Sequence, residues 1–241
     1  FSDAITTADR HTFFRWMVKT AAEAQGILAT FMPKPFSHLT GSGAHFHMSL
    51  WDEKNATNLF LDDGDEQGLS QEAYWFIGGL LHHAKALIAV NGPIVNSYKR
   101  LTRGAPRSGA SWAPVYITYG ASNRTQMIRI PGPGRIENRA VDGAANPYLS
   151  CAAMLAAGLD GIDNKIEPGT RNSDNLYEVE EEELKRRGID FLPSTLKEAI
   201  EHFAADEVLK GAFGSAYADY YVQVKRNEWH QYHQIVDQWE R

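Results

Sequence analysis

Arg124, Arg129, Arg135 and Arg139 fall in one short stretch around a single carboxylate, Glu137, in a chain whose net charge is -6. Arginine carries a planar, permanently charged fork of donors that matches phosphate and carboxylate oxygens two at a time. Several of them converging in an acidic protein point to an anionic ligand, and a carboxylate in their midst points to a metal ion. A ladder of surface salt bridges is the plainer reading. Such pairs are worth only about 0 to 1 kcal/mol when exposed, a poor reason to gather so many arginines. Buried together, like charges cost several kcal/mol unless anions neutralise them. Phosphoryl transfer uses that combination: cationic clamps and a divalent ion around a migrating phosphate.

A second constellation lies upstream. In the run His45, Phe46, His47, Met48, Ser49, Leu50, polar and apolar residues alternate. A strand there sends the two histidines and Ser49 to one face and the apolar three to the other. Gly41 and Gly43 just before it let the backbone approach a ligand closely. His-x-His by itself more often marks ordinary polar packing than a metal site, so a metal role requires a carboxylate partner. Arg135, Glu137 and Arg139 also alternate, and a strand aims all three at one side.

The elements that must position these residues follow from periodicity and punctuation. Thr7 is expected to cap a first helix carrying Phe13, Phe14, Met17 and Ala21 as packing scaffold, with Gly26 closing it before a strand over residues 27–31. A turn at residues 40–43 precedes the histidine strand, and residues 62–68 form an acidic, solvated loop. Ser70 caps one long helix whose stripe Ile77, Leu80, Leu81, Ala84, Leu87, Ile88 faces the core, leaving His82, His83 and Lys85 on a solvated face. Asn91, Gly92 and Pro93 break it. Residues 102–110 make a lid or a plain surface loop. Strands are expected over residues 115–119, 127–130 and 135–140, so the arginines sit on strands and their turns. Asn146 with Pro147 starts an alanine-rich helix running through Leu159 whose small residues favour close packing. An acidic run over residues 178–183, a capping box of Thr195 with Glu198 and an aromatic helix from about Ala212 complete the chain. Nothing repeats, and no shift in composition divides residues 1–241 into two domains.

With 241 residues, 43% of them hydrophobic, the chain can bury a substantial core. Its acidity excludes a broad nucleic-acid footprint. The lone Cys151 reads as a small buried hydrophobe in a reducing compartment. No apolar run reaches the roughly 18 to 20 residues of a membrane span, and residues 1–10 lack the regions of a signal peptide, so a cytoplasmic protein with no membrane partner is expected. The chain begins at Phe1 rather than methionine, and further sequence upstream is expected.

Taken together, Gly41 to Leu50, Asn96 to Leu101, Asn123 to Pro131, Arg135 to Arg139, Ala144 to Leu149 and Gly158 to Gly169 resemble the catalytic half of glutamine synthetase in order and spacing. The resemblance covers most of the chain and is looser after Gly169. It implies an α+β fold in which a curved antiparallel sheet lines the active site with helices packed outside, truncated before the family's N-terminal β-grasp domain. It implies an ATP-dependent ligase that phosphorylates the side-chain carboxylate of glutamate and lets ammonia or a small amine displace the phosphate, with Mg2+ or Mn2+ in the site. By position, His45 and Glu137 become metal ligands. His47 and Ser49 contact the nucleotide, Gly41, Arg100 and Arg139 hold glutamate, and Arg124 and Arg129 stabilise the transferring phosphoryl group and, with Arg135, contact ATP.

Three positions depart from the family pattern. Thr40 stands where an asparagine is usual, residues 131–134 contain no lysine, and Ser111, Trp112, Ala113, Pro114 replace a Tyr-Glu-Ala-Pro flap whose glutamate takes a proton from ammonium. Trp112 offers instead an apolar or cation-π wall suited to an alkylammonium, as in the branch that includes gamma-glutamylmethylamide synthetases. Tyr177 resembles a tyrosine that some bacterial members adenylylate; here it is expected to be a solvated loop residue. The family's remaining metal carboxylates lie upstream of the matched region, and its sites form between subunits of stacked rings, a homo-oligomeric dodecamer. A chain of this extent alone is therefore expected to be inactive, or to serve as a non-catalytic nucleotide-binding or assembly module.

Overall fold

The first helix, α1 (Ala4–Glu23), is capped by Asp3, which accepts from Thr6 N at 2.9 Å, rather than by Thr7. The computed structural model describes residues 2–54, 56–103, 113–121, 124–238 and 240. Gly26 ends the α1 turn at φ +68°, a conformation favouring glycine. The α1 aromatics do not pack into the core as expected: Phe13, Phe14 and Met17 are exposed, and Ala8 alone of the helix is buried. Residues 27–31 are not a strand either. Nearby, the Asn96 side chain takes both backbone groups of Lys34, N–H at 2.7 Å and C=O at 3.0 Å, so a side chain does there what a ladder would have done.

Next come β1 (Phe46–Met48) and a small hairpin of β2 (Trp51–Asp52) with β3 (Thr57–Asn58). Residues 62–68 fold on their own aspartates, Asp62 and Asp65 accepting backbone N–H groups, and are largely exposed as expected. Ser70 then accepts from Ala73 N and opens α2 (Gln71–His82). The expected single helix is two, because the chain leaves helical geometry at His83 and resumes as α3 (Ala84–Asn91). His83 is 6% exposed, not solvated. Short α4 (Ser97–Arg100) follows, ending on a buried arginine.

The main sheet is completed by β4 (Tyr116–Gly120), β5 (Gln126–Gly132) and β6 (Arg135–Asn138), with α5 (Pro147–Asp163), α6 (Glu181–Arg186) and β7 (Asp190–Phe191) downstream. Strand order is β1-β6-β5-β4-β7. The α+β class stands, but the sheet is mixed rather than wholly antiparallel, since β4 and β5 run parallel. Alternation assigns faces and is blind to strand direction, which is why the sequence pattern could not orient this pair. One face packs Phe46, Met48 and Leu50 toward the core with the fully buried Ile128 and Ile136. The other face carries the polar residues.

Behind the sheet, α2 and α5 meet through glycines. A Cβ on Gly79 would lie 2.0 Å from the Ala157 carbonyl oxygen, and one on Gly161 would lie 2.2 Å from that of Trp75. The small residues that lower helix propensity here let two backbones touch. Asn146 caps α5 through Tyr148 N and Leu149 N, with Pro147 in the first turn as expected. Three further helices close the structure: α7 (Leu196–Ala205), capped by Thr195, α8 (Glu207–Phe213), capped by Asp206, and α9 (Ser215–His233). His83 ties three of these parts together. Its Nδ1 lies 2.6 Å from Asp206 and its Nε2 3.1 Å from Asp160 of α5. Both nitrogens face carboxylate oxygens, so both must donate and the ring is a buried imidazolium. Burial opposes that charge, and the hydrogen bonds of Asp206 and Asp160 outweigh it, raising the His83 pKa.

Candidate functional site

Three strands place the polar row. Pairing sets His47 of β1 opposite Glu137 of β6, and Glu137 opposite Arg129 of β5, so the three side chains stand abreast on one face. His45 enters from the residue before β1, and Arg139 from the residue after β6, whose N–H donates to Met127 O at 2.9 Å.

Glu137 is the centre. It is 2% exposed, its Oε1 receives His45 Nδ1 at 2.8 Å and Arg139 Nη1 at 3.4 Å, and its Oε2 receives Arg129 Nη1 at 3.1 Å. His47 Nε2 lies farther out, at 3.9 Å. Burial alone would raise the Glu137 pKa, but the hydrogen bond from His45 and the charge of Arg139 overcome it and hold the carboxyl at about 2. Desolvation lowers the His47 pKa, aided by Arg135, so the ring is kept neutral against the pull of Glu137. One carboxylate thus stands against two guanidinium groups in contact with it. Positive charge is left over, and a phosphate would take it up.

The outer cations extend this field. Arg124 is exposed, and among the described residues no carboxylate is in ion-pair contact with it; its charge reaches Arg139. Arg135 is exposed at the start of β6, beside His47. Arg129 is steadied by a second bond, Nε to Ala121 O at 3.2 Å. Ser49 is half-buried and its hydroxyl accepts from Trp51 Nε1 at 2.9 Å.

Arg100 approaches from the other side. Its Nη2 donates to Ala140 O and Val141 O at 2.6 and 3.1 Å, and the residue is 9% exposed. Gly41 and Gly43 make room for it. A Cβ on Gly41 would fall 2.4 Å from Pro33 O and 2.8 Å from Arg100 Cγ. One on Gly43 would fall 3.2 Å from His45 Nε2 and 3.4 Å from Arg100 Nη1. Gly43 therefore separates the imidazole from the guanidinium by no more than a backbone. Trp112, the residue expected to face the amine, lies outside the described residues.

His45 and Glu137 fit a divalent cation in kind and fall short in number. Imidazole nitrogen and carboxylate oxygen are both groups that a divalent cation takes, and the 2.8 Å hydrogen bond between Nδ1 and Oε1 brings the two side chains to one place. Six donors are needed, and among the described residues no group of three or more His, Cys, Asp or Glu could hold a metal ion. These two side chains could fill only part of a coordination shell.

Two residues stand apart from the sequence reading, which left Asp142 unnamed and expected Tyr177 to be solvated. Asp142 is 1% exposed and follows the two residues whose carbonyls accept from Arg100, flagged only by its being an acid in the run Ala140, Val141, Asp142, Gly143. Tyr177 is not a solvated loop tyrosine: its hydroxyl accepts from Ala113 N at 2.8 Å and donates to Ala113 O at 3.1 Å, and its ring meets Tyr116 edge-on. Nothing local in the sequence announces that contact between positions 64 residues apart.

Residues 1–241 match the glutamine synthetase catalytic domain. A glutamine synthetase of Rhizobium meliloti is 45% identical over 240 residues, covering 100% of this chain and 54% of the relative. A glutamate–methylamine ligase of Methyloversatilis universalis is 46% identical over 242 residues, again 100% of this chain and 54% of the relative. Among solved structures, a GmaS/ADP complex superposes with a TM-score of 0.91 at 52% identity, covering 100% of this chain and 54% of that one. The chain spans about half the length of the curated relatives it matches. It belongs to the glutamine synthetase family, to that family's catalytic domain.

Proposed function

We propose that the full-length protein containing this chain is an ATP-dependent ligase that joins glutamate to ammonia or a small amine through gamma-glutamyl phosphate. The observation that carries this reading is the buried Glu137 shared by His45, Arg129 and Arg139, a carboxylate set inside an excess of fixed positive charge. Family membership supports it independently.

In this reading Arg100, Arg139 and the Gly41 backbone receive glutamate. Arg124, Arg129 and Arg135, with the neutral His47 and Ser49, receive the nucleotide. A gamma-carboxylate oxygen attacks the terminal phosphorus of ATP, the bond to the bridging oxygen breaks, and ADP leaves with the electron pair. Arg124 and Arg129 meet the charge that spreads over the phosphoryl oxygens in transit. The bound ammonium first gives a proton to solvent, its nitrogen then attacks the acyl carbon, phosphate departs with the electron pair of the C–O bond, and the second proton passes from nitrogen to the departing phosphate. A Mg2+ or Mn2+ ion held in part by His45 and Glu137 would neutralise phosphate charge when bound. Its remaining donors would come from outside this chain, which by itself is then inactive. A cytoplasmic ring-forming homo-oligomer, without nucleic-acid partners, belongs to the same reading by resemblance.

The amine is the second question. The two relatives differ by a single percentage point in identity and do not choose between ammonia and methylamine. The tryptophan at 112 does favour one: an aromatic wall in place of a carboxylate stabilises an alkylammonium by cation-π and apolar contact. Methylamine or another small alkylamine is therefore the proposed preference, and kcat/KM for methylamine above that for ammonium is expected. For the chemistry itself, glutamate carrying heavy oxygen in its gamma-carboxylate should pass one labelled atom into the released phosphate. Unlabelled phosphate would rule the acyl phosphate out.

A further inference from the structure

Asn138, the last residue of β6, is fully buried opposite Phe46 of β1 and Ile128 of β5, and its neighbours in the chain are Glu137 and Arg139. An amide in apolar surroundings costs free energy unless its polar atoms are bonded. Here both are. The Oδ1 accepts from Ala140 N at 3.0 Å, and the Nδ2 donates to Met154 Sδ of α5 at 3.4 Å, which fixes the way the amide faces. The first of these bonds spans Arg139 as a side-chain turn. Arg139 N–H donates to Met127 O at 2.9 Å, so this arginine is held by the sheet on one side and by the Asn138 side chain on the other. The turn has a further effect. While Asn138 takes the Ala140 N–H, the Ala140 and Val141 carbonyls accept Arg100 Nη2 at 2.6 and 3.1 Å, and Arg139 Nη1 reaches back to Glu137 Oε1 at 3.4 Å. Residues 139–141 thus carry one buried arginine and cradle the other.

We infer that Asn138 is a positioning residue: by holding Ala140 N–H across Arg139, it fixes the Arg139 and Arg100 guanidinium groups relative to one another for the carboxylates of the substrate. Its side chain lies in the core and acts through the two arginines. The inference rests on the ligase reading only for the identity of the substrate, glutamate. The turn and the two arginines it links stand on the geometry alone.

The test compares Asn138→Thr with Asn138→Val in the full-length enzyme. The two replacements have nearly the same shape and both lose the bond to Met154, but only threonine keeps an oxygen able to accept from the N–H two residues on. KM for glutamate should be at least about tenfold higher in Asn138→Val than in Asn138→Thr, with KM for ATP within about twofold between them, the signature of a change confined to carboxylate binding. Equal KM values for glutamate, or a KM for ATP that rises in parallel, would overturn the inference. Should Asn138→Val fail to fold, Asn138→Ser against Asn138→Ala asks the same question with smaller side chains, and the same two results decide it. If the parent enzyme forms no amide at all, the ligase reading fails, and amide hydrogen exchange in the unaltered protein still reads the turn. Ala140 N–H should then be protected to within about tenfold of Arg139 N–H, because a buried side chain holds the one as the sheet holds the other. Faster exchange than that at Ala140 refutes the turn.

Discussion

Glu137 gives the site its character because its charge is held where burial alone would extinguish it. Its carboxyl sits at about 2 against an ordinary value of 4.5. A depressed carboxylate contributes stability that is fully present above its unfolded pKa and lost as pH falls through its folded pKa. Part of the acid unfolding between about pH 4.5 and pH 2 therefore belongs to this residue. Glu137→Gln should flatten unfolding free energy against pH in that window. It should also cost about 3 kcal/mol at neutral pH, since it leaves Arg139 and Arg129 without their counter-charge. Chemical denaturation across the pH series measures both. Tyr177 allows a smaller test: Tyr177→Phe removes the hydroxyl that holds Ala113 N–H and C=O, so exchange at the Ala113 amide should accelerate, at a cost of about 1 kcal/mol.

Strands and helices show why some residues could be read from the chain and others could not. Alternation in residues 45–50 and 135–139 assigned side chains to faces correctly, because period two is a local property. The caps at Ser70, Asn146 and Thr195 are equally local and stand where expected. His83 was misread because its partners, Asp160 and Asp206, come from distant parts of the chain, and an isolated histidine beside an apolar stripe looks solvated. The Phe13 and Phe14 stripe misled in the opposite way: helical spacing says which side is apolar, not what covers it. Two consequences can be measured. His83 has a raised pKa, so its contribution is fully present below pH 6.5 and is lost as pH rises through the higher folded value; Asp160 and Asp206 face it and the His82 ring lies edge-on. Unfolding free energy should fall over that alkaline-going range, and His83→Gln should abolish the slope. In the helix pair, Gly79→Ala places a methyl 2.0 Å from a carbonyl oxygen, and calorimetry should find it destabilised by about 1 to 3 kcal/mol.

Across the whole molecule, a mixed sheet presents one row of side chains outward, with α2 and α5 behind it, and the family's catalytic domain is recognisable from end to end. Residue types and spacing pointed to phosphate and metal. They could not reveal the burial of Asp142, made by folding, nor the parallel pairing of β4 and β5. No helix among the described residues is long and apolar enough to cross a membrane. The ligase account stands or falls on chemistry performed by the full-length protein. Supplied with Mg2+, ATP and glutamate, it should release phosphate only when methylamine or ammonium is also present, with equimolar gamma-glutamyl amide identified by mass spectrometry. A folded, ATP-binding protein that releases no phosphate and forms no amide with either amine would contradict the account.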